Sequence, residues 1–163
     1  MSYRTPSFES KICAPADLSA RLGAIDRPLV FTNGVFDLLH RGHATYLDQA
    51  RTLGAALLVA LNSDASARRL GKGSDRPINS LEDRAALIAA LASVSMVTWF
   101  ENDTPLELIK AVRPEVLVKG GDWKADQIVG ASEVSTWQGT VHSIPFAFQR
   151  STTATLSRIR GDN

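Results

Sequence analysis

The sequence predicts an α/β fold, a five-stranded parallel sheet with helices on both faces. Three observations predict it. Five short apolar runs rich in β-branched and aromatic residues recur along the chain, each bounded by turn-forming residues. Between them lie stretches with helical spacing or helix-start signals, and that alternation implies parallel strands joined by right-handed crossovers. The run over residues 55–61 is apolar without interruption, as a strand covered on both sides must be.

In chain order, residues 1–13 are polar and patternless and are expected to form a loose arm. Residues 15–25 suit a short helix, with Pro15 in its first turn and Leu18, Leu22 and Ile25 on one face. Together, residues 1–27 are read as arm and helix, ahead of a single globular domain over 28–163. Leu29, Val30 and Phe31 form the first strand, and Asn33-Gly34 its turn. Tyr46, Leu47, Ala50 and Leu53 recur at helical spacing, with Gly54 as a C-cap. The second strand follows, then a short helix capped by Ser63 or Asp64 and running through Leu70. Residues 71–77 make a polar loop. Ser80-Leu81-Glu82-Asp83 resembles a capping box opening a helix to about Leu91. The third strand is Met96 to Phe100. Thr104-Pro105-Leu106-Glu107 reads as the clearest capping box, and its helix should stop near Arg113 because Pro114 follows. Val116 to Lys119 is the fourth strand, 125–137 a helix broken near Gly130, Thr140 to Ile144 the fifth strand, and 151–159 a closing helix.

Composition excludes several classes. The 163 residues carry 18 basic and 17 acidic side chains, so no overall field points to nucleic acid or a membrane surface. One cysteine excludes an internal disulfide framework and suits a reducing cytoplasm. No apolar run is long enough to span a bilayer, and the first residues lack a signal-peptide pattern.

The stretch that points to chemistry is Leu29 to His43. His40 and His43 sit where a central strand hands over to a helix, separated by Arg41 and Gly42. In an open α/β sheet, anions bind there, because the first N–H groups of the helix and its dipole favour negative charge. Gly42 allows backbone to approach a ligand closely. Two imidazoles at this spacing can both donate to phosphate oxygens. A zinc pair is the competing reading, but a third ligand would have to come from His142 or Cys13.

The run Asn33-Gly34-Val35-Phe36-Asp37-Leu38-Leu39-His40, with Gly42 and His43, resembles the signature of the cytidylyltransferase-like nucleotidyltransferases. Three further stretches match in order and spacing: Val59-Ala60-Leu61-Asn62-Ser63-Asp64, Leu117-Val118-Lys119-Gly120-Gly121-Asp122-Trp123, and Ser151-Thr152-Thr153. Within the family they are most similar to the bacterial branch that adenylylates D-glycero-β-D-manno-heptose 1-phosphate to ADP-heptose for the lipopolysaccharide core. The resemblance implies a Rossmann-like sheet of order 3-2-1-4-5, in which strands 1 and 4 flank one crevice. It implies ATP and a sugar 1-phosphate as substrates, Mg²⁺ with the nucleotide, and family members are often dimers, so a homodimer is a candidate assembly. Trp99 and Trp137 serve either such an interface or the core. In many relatives the domain follows a sugar kinase; here only a short N-terminal addition precedes it, so the kinase and phosphatase steps are expected from separate proteins. The alternatives are a cytidylyltransferase for glycerol 3-phosphate or a related phospho-alcohol, and a non-catalytic nucleotide-binding module.

Carried onto this chain, the family pattern places His40 and His43 on the triphosphate, with Lys72 of the polar loop after the second strand as a third catalytic group. Thr32, Asn33, Gly34, Val35 and Phe36 would bring backbone N–H groups to the nucleotide, alongside Gly42, Lys119 and Gly120, with Phe36 equally suited to the core. Ser151, Thr152 and Thr153 would cradle the β- and γ-phosphates. Asp122 and Trp123 would line the sugar side, Trp123 either stacking on a ring or anchoring its loop, and Asn62 and Asp64 would meet sugar hydroxyls. Asp37 either orients His40, or meets the metal, or makes a structural loop bond. Arg76 and Arg150 are weaker phosphate candidates. Arg84 faces either a phosphate or the neighbouring Glu82 and Asp83.

Overall fold

The computed structural model describes residues 4–71, 75–148, 158, 159 and 161. Five parallel strands, β1 (Leu29–Gly34), β2 (Ala56–Asn62), β3 (Met96–Phe100), β4 (Val116–Gly120) and β5 (Thr140–Ile144), form one sheet of order β3-β2-β1-β4-β5. The helices are α1 (Leu18–Leu22), α2 (Arg41–Arg51), α3 (Asp64–Arg69), α4 (Leu81–Ala89), α5 (Leu106–Val112) and α6 (Ala131–Thr136).

Successive strand residues point to opposite faces, which builds two cores from one sheet. Leu29, Phe31, Leu58, Ala60, Met96 and Leu117 face one side and meet Leu18 of α1, Ile109 and Val112 of α5, and Val134 of α6. Val30, Leu57, Val59, Leu61, Val97 and Val118 face the other, against Tyr46, Leu47 and Ala50 of α2 and Ala85, Ile88 and Ala89 of α4. Trp99 and Trp137 are partly buried against these cores, and Trp137 Nε1 donates to the Pro114 carbonyl at 2.9 Å. No helix among the described residues is long and apolar enough to cross a membrane.

Several local expectations need correction. The loose arm is docked: after a 3₁₀ turn over Ser7–Lys11, Ile12 bridges to Val97 and Cys13 N donates to the Val97 carbonyl at 2.8 Å. That covers the outer edge of β3, an edge that would otherwise expose unpaired backbone groups. Phe8 and Ile12 pack against the core, and Arg21 donates to the Ile12 and Ser10 carbonyls. The helix expected over 15–25 is a 3₁₀ turn, Pro15–Asp17, followed by the single short α1. Strand β1 runs three residues further than read, because Thr32, Asn33 and Gly34 keep pairing with β2.

Gly54 is not a left-handed cap: α2 ends at Arg51 with Thr52 as C-cap. A Cβ on Gly54 would lie 2.5 Å from the Pro28 carbonyl oxygen, so the glycine is there for close approach. The capping box at Thr104 does not form, since Pro105 takes the N-cap position without a side-chain bond and Glu107 pairs with Lys110 instead. At Ser80 the cap half of the box forms, with Ser80 Oγ accepting from Asp83 N at 3.2 Å and donating to Asp83 Oδ2 at 2.9 Å. Arg113 ends α5 in a left-handed conformation, φ 47°. The break at Gly130 separates the 3₁₀ turn Ala125–Gln127 from α6. Of the closing helix, only helical Arg158 and Ile159 fall within the described residues.

Candidate active site

The register of the sheet makes the site. β1 pairs with β2 along its whole length, up to Gly34 opposite Leu61. With β4 it pairs only from Val30–Val116 to Thr32–Val118, while β4 continues beside β5 to Gly120 opposite Ile144. Beyond Thr32 and Val118 the two central strands therefore part. The strand order reverses at that place, and a crevice of about 630 Å³ opens beyond the carboxyl ends.

Tyr46 of α2 sits at the root of the split. Its phenol oxygen lies 2.5 Å from Thr32 Oγ1 and donates to the Val118 carbonyl at 3.4 Å, tying β1 to β4. Burial holds its hydroxyl well above the usual tyrosine range. Thr32 is thereby used from beneath; it is fully buried and does not line the crevice, contrary to expectation. Higher up, Lys119 spans the gap, its Nζ donating to Asn33 Oδ1 at 3.3 Å and to the Asn33 carbonyl at 3.4 Å.

His40 is the N-cap residue of α2, and its carbonyl accepts from His43 N at 2.9 Å and Ala44 N at 3.3 Å. Its imidazole does not cap the helix. It stacks on His43 with ring centroids 3.9 Å apart and planes 17° apart, and both rings line the crevice. Phe36 and Phe146 meet His43 edge-on at 5.2 Å and 6.1 Å. Burial, then the neighbouring His40, push the His43 pKa down to about 4 against the smaller opposing effect of the Leu38 carbonyl. His43 is thus neutral at pH 7. Gly42 is needed for packing: a Cβ there would lie 3.0 Å from the His40 ring and 3.1 Å from the Phe148 carbonyl oxygen.

The loop after β1 is held rigidly. Phe36 adopts φ 50°, a strained conformation for an aromatic residue, and its ring fills the space where a Cβ on Gly34 would lie 2.9 Å away. Asp37 is buried and accepts from the backbone N–H groups of Ile78 and Asn79 at 2.9 Å, with Arg76 Nε 2.7 Å from its other oxygen. Of its candidate roles, the structural loop bond is the one these contacts describe. Arg76 lines the crevice beside it. Arg84 is fully buried and meets neither a crevice anion nor Glu82 or Asp83; it pairs with Asp64 at 2.6 Å. Asp64 is accordingly turned to Arg84 and does not line the crevice. Asn62 does line it, with its amide donating to Ser66 Oγ at 2.9 Å.

Trp123 is half exposed into the crevice, anchored by Nε1 donating to the Gly120 carbonyl at 3.2 Å and by its backbone N–H on Ser143 Oγ at 3.0 Å. It anchors its loop while presenting a ring face. Asp122 is exposed and does not line the crevice. Asn33, Gly34, Val35, Phe36, Lys119 and Gly120 all do. Lys72, Arg150, Ser151, Thr152 and Thr153 lie outside the described residues.

Sequence reasoning missed Tyr46, Phe146 and the far wall, which Asp103, Thr104, Pro105, Gln127, Ile128 and Val129 supply. Tyr46 was within reach, since it follows His43 by three residues on the same helix. Phe146 had no local signal. Its position depends on Gly120, whose absent side chain leaves room for that ring.

Comparison with known proteins agrees with this architecture. The cytidylyltransferase-like family model matches residues 31–160. A D-beta-D-heptose 1-phosphate adenylyltransferase from Bordetella bronchiseptica is 59% identical over 155 residues, covering 94% of this chain and 96% of the relative. The bifunctional protein HldE of Hahella chejuensis is 52% identical over 134 residues, 82% of this chain but only 28% of that protein's length. Among solved structures, the lipopolysaccharide core biosynthesis protein from Thermoplasma volcanium aligns with a TM-score of 0.61 at 30% identity, covering 75% of this chain and 98% of its own. Pantothenate synthetase from Thermus thermophilus, at 16% identity and a TM-score of 0.54 over 83% of this chain and 61% of its own, shares the fold alone. With the split sheet, the paired imidazoles and the matched span in agreement, the chain belongs to the cytidylyltransferase-like family and is a nucleotidyltransferase.

Proposed function

We propose that the protein transfers the adenylyl group of ATP to D-glycero-β-D-manno-heptose 1-phosphate, giving ADP-heptose and pyrophosphate for the lipopolysaccharide core. The observation that carries this reading is the stacked His40–His43 pair at the split between β1 and β4, in a chain 59% identical to a relative bearing that heptose adenylyltransferase name.

A sugar 1-phosphate has a second pKa near ~6 and is largely dianionic at pH 7, so its oxygen attacks the α-phosphorus without a general base. The protein's task is then to align two anions and to stabilise the charge growing on pyrophosphate. The residues of the crevice suit that task. His40 and His43 offer ring N–H donors, Lys119 and Arg76 supply positive charge, and the half-exposed Trp123 offers a flat apolar surface to a base or sugar. In this reading Lys72 and the hydroxyls of Ser151, Thr152 and Thr153 serve the phosphates as well.

Magnesium enters this reading with the nucleotide. Among the described residues, no group of three or more His, Cys, Asp or Glu is placed to hold an ion. Asp37, the carboxylate nearest the histidines in sequence, already serves two N–H groups and Arg76. These side chains do not fit a protein-held metal.

The test is a matrix of nucleoside triphosphates against sugar 1-phosphates and glycerol 3-phosphate, read by pyrophosphate release and product mass. ATP with the heptose 1-phosphate should turn over fastest. Preference for CTP with glycerol 3-phosphate, or no turnover with any pair, rejects the proposal.

A further inference from the structure

A buried guanidinium is tolerable only when its donors are met, and Arg84 meets its own with four groups from three separate segments. Nη1 donates to the Val35 carbonyl at 2.8 Å and the Asn62 carbonyl at 2.9 Å, Nε to the Asn79 carbonyl at 3.1 Å, and Nη2 to Asp64 at 2.6 Å. One of these contacts, that to the Val35 carbonyl, bears on the crevice. The Val35–Phe36 peptide is trans, so its N–H points opposite to its C=O. With the carbonyl drawn inward to Arg84, the Phe36 N–H is turned away from the core, on a segment whose two residues both line the crevice. That N–H has no acceptor among the described residues. Two residues on, the Asp37 carbonyl is held by Asn79 Nδ2 at 2.7 Å, and Asn79 N is held by the Asp37 carboxylate. The strained Phe36 thus sits between two fixed carbonyls.

We propose that Arg84 is a positioning residue for anion binding: by holding the Val35 carbonyl from behind, it keeps the Phe36 amide turned into the crevice as a preorganised donor to a polyphosphate chain. The inference rests on the nucleotidyltransferase reading for its ligand class, but not on which base or acceptor is used. A donor fixed before the ligand arrives needs no reorganisation on binding, which is why its orientation, and not merely its presence, matters.

The probe is inorganic tripolyphosphate, titrated into ¹⁵N-labelled protein while amide resonances and affinity are followed. In the wild type the Phe36 amide should shift strongly. Arg84→Lys keeps the charge but cannot reach all four acceptors; it should weaken tripolyphosphate binding at least tenfold and lose the Phe36 shift. Should that variant fail to fold, Asp64→Ala gives an independent reading. Removing a carboxylate near an anion site would by charge alone tighten binding, whereas loosening Arg84 should weaken it severalfold. A folded Arg84→Lys with wild-type affinity and an unchanged Phe36 shift overturns the proposal, as does tighter binding by Asp64→Ala. Failure of the heptose reaction with a normal Phe36 response would count against the substrate reading alone.

Discussion

His40 and His43 are stacked face to face, their ring centroids 3.9 Å apart. Two like groups at that distance cannot both carry a proton cheaply. The stack therefore opposes a second proton, and a polyphosphate gathering in front of the pair draws it towards the charged form. That is the behaviour wanted where pyrophosphate departs.

The first prediction concerns rate. His43→Ala should lower kcat for pyrophosphate release by about 10²–10³, the usual cost of losing one well-placed donor to developing negative charge. The thermal transition should remain cooperative, because His43 is ringed by side chains that can relax. Turnover within about tenfold of wild type would remove His43 from the machinery.

The second concerns protons. In the folded protein the His43 pKa is pushed down to about 4 from its usual 6.5, so the fold favours the neutral ring. Its contribution to stability is full above pH 6.5 and is lost progressively as pH falls towards 4, where the folded form at last takes up the proton that the unfolded chain already holds. Wild type should lose thermal stability over that window more steeply than His43→Asn. An approaching polyphosphate works in the other direction and raises the pKa. Calorimetry in buffers of different ionisation enthalpy should then detect proton uptake on ATP binding between pH 4 and 6.5, reduced in His43→Asn. Identical uptake in both proteins would assign the proton elsewhere.

The third contrasts two glycines. A Cβ on Gly54 would lie 2.5 Å from the Pro28 carbonyl oxygen and 2.7 Å from Val30 Cγ2, inside the packed start of β1. Backbone cannot yield there, so Gly54→Ala should cost about 1–3 kcal/mol in urea unfolding while sparing nucleotide affinity. A Cβ on Gly120 would instead meet the Phe146 ring at 2.7 Å. That ring is partly exposed and can swing, but it also packs against His43 and Tyr46. Gly120→Ala should therefore weaken ATP binding more than it lowers the unfolding midpoint. The reverse pattern would mean that Phe146 has no part in shaping the site.

How much of this was legible follows from how local each signal is. Met96–Phe100 and Thr140–Ile144 could be read to the residue because both are rich in β-branched or aromatic residues and are bounded by clear turn chemistry. The end of β1 could not, since Thr32, Asn33 and Gly34 look like a turn until β2 is laid beside them. The histidine pair was visible because its partners are three residues apart. The Arg84 network was not, because the acceptors it gathers at Val35 and Asn62 lie 49 and 22 residues away in sequence. Strand order came from family resemblance; no periodicity encodes it.

The last prediction concerns the segment that the sequence left patternless. Phe8, Ile12 and Cys13 are too sparse to show a period, yet they pack on the core and cover the edge of β3 through the Ile12–Val97 bridge. Deleting residues 1–13 removes that cover, the Cys13 N to Val97 carbonyl bond and the anchor points of Arg21 on Ser10 and Ile12. An uncovered edge strand is a template for pairing with another chain. The shortened protein should unfold at lower urea and show self-association by light scattering beyond that of the full chain. None of residues 4–13 lines the crevice, so the folded fraction should keep its ATP affinity. A truncated protein with unchanged midpoint and unchanged scattering would show that the docked segment neither stabilises the sheet nor guards its edge.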